Sequence, residues 1–150
     1  MVLEQGSKES TREPFRNPGP DEIRSLLEKA KTIAVVGYSP SASRPSNGIA
    51  RALQRLGYRV IPVRPGMEEA LGEKVYADIA AIPGTVDIVD VFRDGRHVPE
   101  IVAQCLERGI GAIWMQEGCV NTEAAMRARD AGMTVVMDRC ILRDHTRLLR

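Results

Sequence analysis

A chain of 150 residues has the length of one compact domain, and 43% hydrophobic with 27% charged residues is typical of a globular protein. The 21 basic and 20 acidic residues leave a formal charge of +1, so no overall field attracts nucleic acid or an anionic membrane. No apolar run is long enough for a membrane-spanning helix, and the first residues lack the apolar region of a signal peptide.

The first nineteen residues are predicted to form a flexible or surface-draped arm. Residues 1–19 are polar, contain proline and glycine, and show no hydrophobic periodicity. A single domain is therefore expected over residues 20–150. It opens with Pro20–Glu22, where proline and two acids favour a helix start. An apolar stripe with helical spacing follows at Ile23, Leu26, Leu27 and Ala30.

The rest of the chain repeats a strand-and-helix unit. Five apolar runs, about 22 to 27 residues apart, begin near Thr32, Arg59, Val86, Gly111 and Met133. Helical patterns lie between them, and three end at glycines that suit a left-handed cap, Gly57, Gly109 and Gly132. Alternating strands and helices predict a parallel sheet, and right-handed crossovers make it doubly wound. The predicted fold is α/β, a five-stranded doubly wound parallel sheet of Rossmann-like type.

Ligands of such sheets bind beyond the carboxyl ends of the strands, where the strand order reverses. The first loop there, residues 37–48, is rich in serine and leads into a helix N-terminus, which suits a phosphate. The alternative is that its serines and prolines only build a turn. The candidate binding residues at these strand ends are Gly37, Tyr38, Ser39, Ser43, Arg44, Pro45, Ser46, Asn47, Val63, Arg64, Pro65, Phe92, Arg93 and Gln116.

The nature of the phosphate ligand follows from what the sequence lacks. A dinucleotide fingerprint needs a second glycine for close approach of the pyrophosphate, and Ser39 stands at that position. NAD sites also place a carboxylate at the end of the second strand, where this chain has Arg64. An arginine there suits an additional phosphate on a ribose, or it is a solvated rim residue. NAD is therefore disfavoured, while NADP and coenzyme A stay open.

Several segments together resemble the stand-alone coenzyme A-binding protein family. They are GYSPSASRPSNGIARALQRLGYRVIPVRPG, VDIVDVFRDGRHVPEIV and AIWMQEGCVNTEAAMRARDAGMTVVMDRC, within residues 20 to 145. That family is similar to the coenzyme A-binding domain of succinyl-coenzyme A synthetase alpha subunits. The resemblance implies phosphate contacts from Gly37, Ser39, Arg44, Ser46 and Asn47. It also implies that Val63, Arg64 and Pro65 face the adenosine end, and that Phe92 and Arg93 border the crevice.

The chain departs from the synthetase pattern in three ways. A serine-rich loop replaces the glycine-rich one, and Met67 stands where the synthetase has a phosphate-binding lysine, so Arg64 is the expected substitute. The second synthetase domain, with its phosphorylated histidine, has no counterpart in these 150 residues. We therefore interpret the chain as a binding protein rather than an autonomous catalyst.

The cysteines and histidines give little support for a metal site or a catalytic triad. Cys105, Cys119 and Cys140 form no CxxC pair, and the only histidines are His97 and His145, so no metal is predicted and a reducing cytoplasm is expected. We interpret His97 as a surface residue and the cysteines as small packing residues. Cys140 nevertheless follows a strand end where a pantetheine thiol could arrive and form a mixed disulfide.

Two acids in the third run do not form a catalytic pair. Asp87 and Asp90 are three residues apart, so their side chains point to opposite faces of a strand. Asp90 is expected to bond to a nearby backbone or arginine group. Trp114 and Met115 lie mid-strand and are expected in the core.

The leading hypothesis is a small cytoplasmic module that binds coenzyme A or an acyl-coenzyme A without turning it over. The alternatives are an NADP-dependent reductase, a coenzyme A transferase fragment that needs a partner, and a nucleotide-responsive redox or regulatory sensor. A protein partner or a homo-oligomer stays open in each case.

Overall fold

The computed structural model describes residues 13–149, and it confirms the predicted α/β fold. The strands are β1 (Thr32–Val36), β2 (Arg59–Val63), β3 (Glu69–Ala70), β4 (Glu73–Lys74), β5 (Ile88–Val91), β6 (Ala112–Met115) and β7 (Thr134–Met137). The helices are α1 (Pro20–Lys29), α2 (Pro45–Arg55), α3 (Val98–Arg108), α4 (Thr122–Asp130) and α5 (Ile141–Leu148). Five of the strands form a parallel sheet in the order β2-β1-β5-β6-β7.

The strand order places a crevice next to β1. The chain moves from β1 outward to β2, and then returns across the sheet to pair β5 with the other side of β1. The loops after β1 and β5 therefore leave the sheet in opposite directions, and a crevice opens between them.

Helices cover both faces of the sheet. Buried side chains of α1, α2 and α5 pack on one face, and those of α3 and α4 pack on the other. Trp114 and Met115 have no exposed surface and point into these two opposite layers, which confirms them as core residues. The predicted end of α3 is also confirmed, because Gly109 caps it with a φ of 67°. At the start of α4, the side chain of Asn121 accepts a capping hydrogen bond.

Three features were not anticipated. The C-terminal segment forms α5, and β3 and β4 form a short antiparallel ribbon. The expected partner of Asp90 was wrong: this carboxyl has no exposed surface, and neither oxygen has a hydrogen-bond partner among residues 13–149. In the sheet, Asp90 pairs with Val35 of β1 on one side and with Trp114 of β6 on the other. Both neighbours are fully buried members of the same hydrophobic cluster.

Both edges of the sheet are covered by other parts of the chain. At the β7 edge, the side-chain amide of Asn17 donates to the carbonyl oxygen of Met137 at 3.0 Å and accepts from its N–H at 2.7 Å. At the β2 edge, Tyr76 exchanges backbone hydrogen bonds with Pro62 and Arg64. Within the predicted arm, Asn17 thus bonds to the sheet and Phe15 packs against the core, while residues 1–12 lie outside the described part of the chain.

Between residues 13 and 149, no helix combines the length and the apolar character that crossing a membrane requires.

Candidate functional site

A cavity of about 780 Å³ lies at the carboxyl edge of the sheet. Its lining comes from the segments after all five strands of the sheet, β2, β1, β5, β6 and β7. The charged lining residues are four arginines and one acid, namely Arg44, Arg64, Arg93, Arg143 and Glu117. The site is therefore cationic, although the whole chain is nearly neutral.

The first loop is held in shape by its own hydrogen bonds. The backbone N–H of Ser39 donates to Oγ of Ser46 at 2.9 Å, and Oγ of Ser39 accepts from the N–H of Ser41 at 3.1 Å. The side-chain amide of Asn47 donates to the carbonyl oxygen of Ser39 at 3.1 Å and to the hydroxyl of Tyr38 at 3.2 Å. These bonds fix the loop against the start of α2.

The N-terminus of α2 faces the cavity without a side-chain cap. Arg44 occupies the N-cap position, makes no capping bond with its side chain, and is followed by Pro45 in the first turn. Both residues and Ser46 line the cavity. First-turn N–H groups and the positive end of the helix dipole give this position affinity for an anion.

Two glycines allow the loops around the cavity to approach closely. Gly37 has a φ of +87°, and a Cβ there would lie 2.9 Å from the carbonyl oxygen of Phe92. A Cβ on Gly95 would lie only 2.0 Å from the carbonyl oxygen of Val120. The loop after β5 thus packs, backbone against backbone, on the loop after β1 at Gly37 and on the loop after β6 at Gly95.

The segment after β7 is pinned to the sheet by side-chain bonds. Nε1 of Trp114 donates to the carbonyl oxygen of Arg139 at 2.8 Å, and Oε1 of Gln116 accepts from the N–H of Ile141 at 3.0 Å. The guanidinium of Arg139 makes two bonds, 2.6 and 2.7 Å long, to the buried carboxylate of Asp144. These contacts position the start of α5 at the cavity rim.

The Arg139 pair also sets the ionisation of Asp144. Burial alone would raise the pKa of this carboxyl, but the hydrogen bonds and charges of Arg139 and Arg147 outweigh it and lower the pKa. Asp144 is therefore a structural anion at neutral pH.

Two cysteines line the cavity in different surroundings. Burial raises the pKa of Cys119, and the charges of Asp94 and Asp138 add to that effect. Cys140 is half-buried, occupies the N-cap position of α5 and makes no capping bond with its sulfur. The two thiols are both free.

The cavity brings together eleven of the fourteen candidate residues and leaves three outside. Ser43 is exposed, with its hydroxyl 2.9 Å from that of Ser41. Asn47 is buried and braces the loop, and Val63 is buried and accepts backbone hydrogen bonds from Gly37 and Tyr38. Five further residues line the cavity that are not among the fourteen candidates, Ile49, Glu117, Cys119, Cys140 and Arg143. Of these, the sequence had already placed Cys140 at a strand end near the ligand.

The described residues offer no metal centre. Within residues 13–149, no three histidine, cysteine, aspartate or glutamate side chains are grouped so that they could hold an ion.

A doubly wound parallel sheet with an arginine-lined crevice at its carboxyl edge defines the class, a Rossmann-like domain. The model of the CoA binding domain matches residues 31–146, and the chain belongs to that family. The family resemblance noted from the sequence is thereby confirmed.

Similar proteins agree with this assignment. YneT of Bacillus subtilis is 41% identical over 127 residues, which cover 85% of this chain and 94% of YneT. A hypothetical protein from Pyrococcus horikoshii OT3 has the same fold with a TM-score of 0.86 and 37% identity, covering 92% of this chain and 99% of that one. ADP-forming acetate–CoA ligase II of Archaeoglobus fulgidus is 33% identical over 100 residues, which cover 65% of this chain and only 15% of the ligase.

Proposed function

We propose that the protein binds coenzyme A or an acyl-coenzyme A in the cavity at the carboxyl edge of the sheet, without autonomous catalysis. The observation that carries the proposal is the arginine-lined cavity that gathers eleven of the fourteen candidate residues in a member of the CoA binding domain family. Coenzyme A carries a pyrophosphate and a ribose phosphate, and several cations around one cavity match that charge.

The first loop and the start of α2 are the proposed pyrophosphate site. The uncapped helix N-terminus, Arg44 and the ordered loop serines would hold the anion in this role. In place of the second glycine of a dinucleotide fingerprint, Ser39 has its hydroxyl built into the turn through the bond to Ser41. This arrangement favours coenzyme A over NAD.

The end of β2 is the proposed adenosine side. Arg64 lines the cavity there, and its backbone N–H is held by Tyr76 at 2.9 Å. Among residues 13–149, the only hydrogen-bond acceptor of its guanidinium is the carbonyl oxygen of the next residue, Pro65, at a long 3.4 Å. We assign Arg64 to the ribose phosphate of coenzyme A.

The absence of autonomous catalysis is inferred from the surroundings of Cys119 in the cavity and of Asp90 in β5, which does not line the cavity. Cys119 has acids rather than a base around it, and the buried Asp90 has no polar partner among the described residues to accept or relay a proton.

Arg44→Ala should weaken coenzyme A binding about ten- to a hundredfold, or by about 1.5–3 kcal/mol, because a charge-assisted contact to phosphate is lost. Titration calorimetry at low salt measures the loss, which should shrink as salt screens the charge. Arg55→Ala, at the opposite end of the same helix and outside the cavity, is the matched control and should bind normally. Equal affinity of Arg44→Ala and the native protein would remove Arg44 from the phosphate site.

The function itself is tested by calorimetry with coenzyme A, dephospho-coenzyme A, NADP and NAD. Coenzyme A should bind most tightly, and the dephospho form more weakly because it lacks the ribose phosphate. In Arg64→Ala the two coenzyme A forms should bind about equally, since the residue that separates them is gone.

Arg59→Ala is the matched control for Arg64. Arg59 lies at the other end of β2, where it bonds to Glu73, so this variant should keep the full preference for coenzyme A. Tighter binding of NADP than of coenzyme A would overturn the proposal in favour of a reductase. An unchanged preference in Arg64→Ala would assign the phosphate to another cation, with Arg93 next.

A further inference from the structure

The cavity runs across the sheet from the proposed phosphate site to a free thiol. Arg44 and Ser46 follow β1, and Cys140 follows β7, and all three line the same cavity. From β1 to β7 the sheet advances three strands, through β5 and β6. At about 4.8 Å for each step, this distance is about 14 Å.

The pantetheine arm of coenzyme A has a matching reach. About twelve bonds separate its phosphate oxygen from its sulfur, as many as in the backbone of about four residues, which extends at most about 14 Å. With the pyrophosphate at the start of α2 and the ribose phosphate at Arg64, the arm has to leave in the opposite direction, towards β6 and β7. Its thiol would then arrive beside the two cysteines of the cavity.

The structure distinguishes these cysteines. Burial and the nearby carboxylates of Asp94 and Asp138 raise the pKa of Cys119, so it resists forming the nucleophilic thiolate. Cys140 is half-buried, its sulfur is not used for capping, and it begins α5 with Arg143 one turn further along the same cavity wall. Arg143 itself is paired with Glu117 at 2.9 Å, so what favours Cys140 is its accessibility and its place at the start of a helix, a position at which protein thiols exchange with disulfides.

We propose that Cys140 forms a mixed disulfide with the thiol of coenzyme A bound in this cavity. The inference rests on the proposed function and goes beyond it, because it adds a reversible covalent step at one cysteine. The oxidant is the disulfide form of coenzyme A. The Cys140 thiolate attacks one sulfur of this disulfide, the bond between its two sulfurs breaks, and the second coenzyme A leaves as a thiolate that takes up the proton lost by Cys140.

The test is intact-mass measurement of the reduced native protein after incubation with coenzyme A disulfide. The expected product carries one coenzyme A moiety, loses it on treatment with dithiothreitol, and maps to the peptide that contains Cys140. Glutathione disulfide at the same concentration should react at least tenfold more slowly, because it lacks the nucleotide that the cavity binds. An excess of NADP should slow adduct formation with coenzyme A disulfide less than the same excess of reduced coenzyme A does.

Two variants accompany the native protein. Cys140→Ser should form no adduct, and serine is a favourable N-cap, so α5 is preserved. Cys105→Ala removes a fully buried thiol outside the cavity and should react like the native protein. Peptide mapping on the native protein gives the same answer if a variant fails to fold.

The outcomes separate this inference from the proposed function. An adduct on Cys119 or Cys105, or equal rates with glutathione disulfide, overturns the assignment of Cys140. No adduct, with coenzyme A binding normally to the reduced protein in calorimetry, also overturns it and leaves the binding function intact. Failure of the reduced protein to bind coenzyme A overturns the proposed function itself.

Discussion

Replacing Asp90 by asparagine should stabilise the protein at neutral pH, and the gain should grow as the pH rises. Burial raises the pKa of Asp90 well above its ordinary value, and no described residue bonds to its oxygens. The folded state therefore keeps the proton at a pH where the unfolded chain releases it. Ionisation of the unfolded chain then favours unfolding, by up to about 1.4 kcal/mol for each pH unit above about 4.

The pH window of this effect follows from the two pKa values. Below about pH 4 the carboxyl is protonated in both states, so Asp90→Asn and the native protein should have similar stability. Above that pH the native protein loses stability relative to the variant, until the pH reaches the pKa of folded Asp90. Urea unfolding between pH 4 and pH 8 measures the difference, and titrations elsewhere in the chain cancel in the comparison.

A second neutral variant checks the explanation. Asp90→Leu has a similar branched shape and no polar atoms, so it should show the same growth with pH and exceed Asp90→Asn in stability, because it leaves no amide unpaired. A difference between the native protein and Asp90→Asn that stays constant from pH 4 to pH 8 would show that Asp90 is ionised in the fold and has a partner.

Arg139→Ala should destabilise the protein by about 2–3 kcal/mol at pH 7. Removing one partner of a buried ion pair costs about 3–5 kcal/mol because the other charge is left buried. The expected loss is smaller here because the Arg139 side chain is 37% exposed and solvent screens part of its charge, and Arg147 remains at 3.3 Å from Asp144. Urea unfolding of both proteins gives the value.

Urea unfolding at acidic pH tests whether the loss comes from the ion pair with Asp144. Because the pKa of Asp144 is lowered in the fold, its ionised form contributes stability above about pH 4 that is lost as the pH falls through the folded pKa. The gap between Arg139→Ala and the native protein should therefore narrow towards pH 3. Arg96→Ala is the control: Arg96 and Asp94 are 3.7 Å apart and largely exposed, so the change should stay below about 0.5 kcal/mol. A loss as large in Arg96→Ala would contradict the role of burial.

The sheet and most helices could be predicted because their signal is periodic and long. The five strands are mostly apolar, and α3 shows four buried residues at helical spacing before its terminal glycine. The helix α5 escaped prediction because it has only eight residues and five of them are polar. Its one clue is the spacing of Ile141, His145 and Leu148, which fall on one helical face.

The site was predictable to the extent that strand ends determine it. Parallel strands bring their carboxyl ends to one edge, so residues such as Arg64, Phe92 and Gln116 could be placed together from the chain order alone. Which side chains of a loop face inward depends on its hydrogen bonds, and the inward bond of Asn47 to Ser39 has no periodic signal. Arg143 was missed with α5, because its position depends on that helix.

The contacts of Asn17 and Tyr76 at the two ends of the sheet have a consequence for self-association. An outer strand with open N–H and C=O groups is a template on which a second molecule can add a strand and begin aggregation. At β7 the amide of Asn17 occupies one such N–H and C=O pair, and at β2 the backbone of Tyr76 does the same. The chain thus protects both margins with its own segments, and those margins are less open to sheet extension between copies.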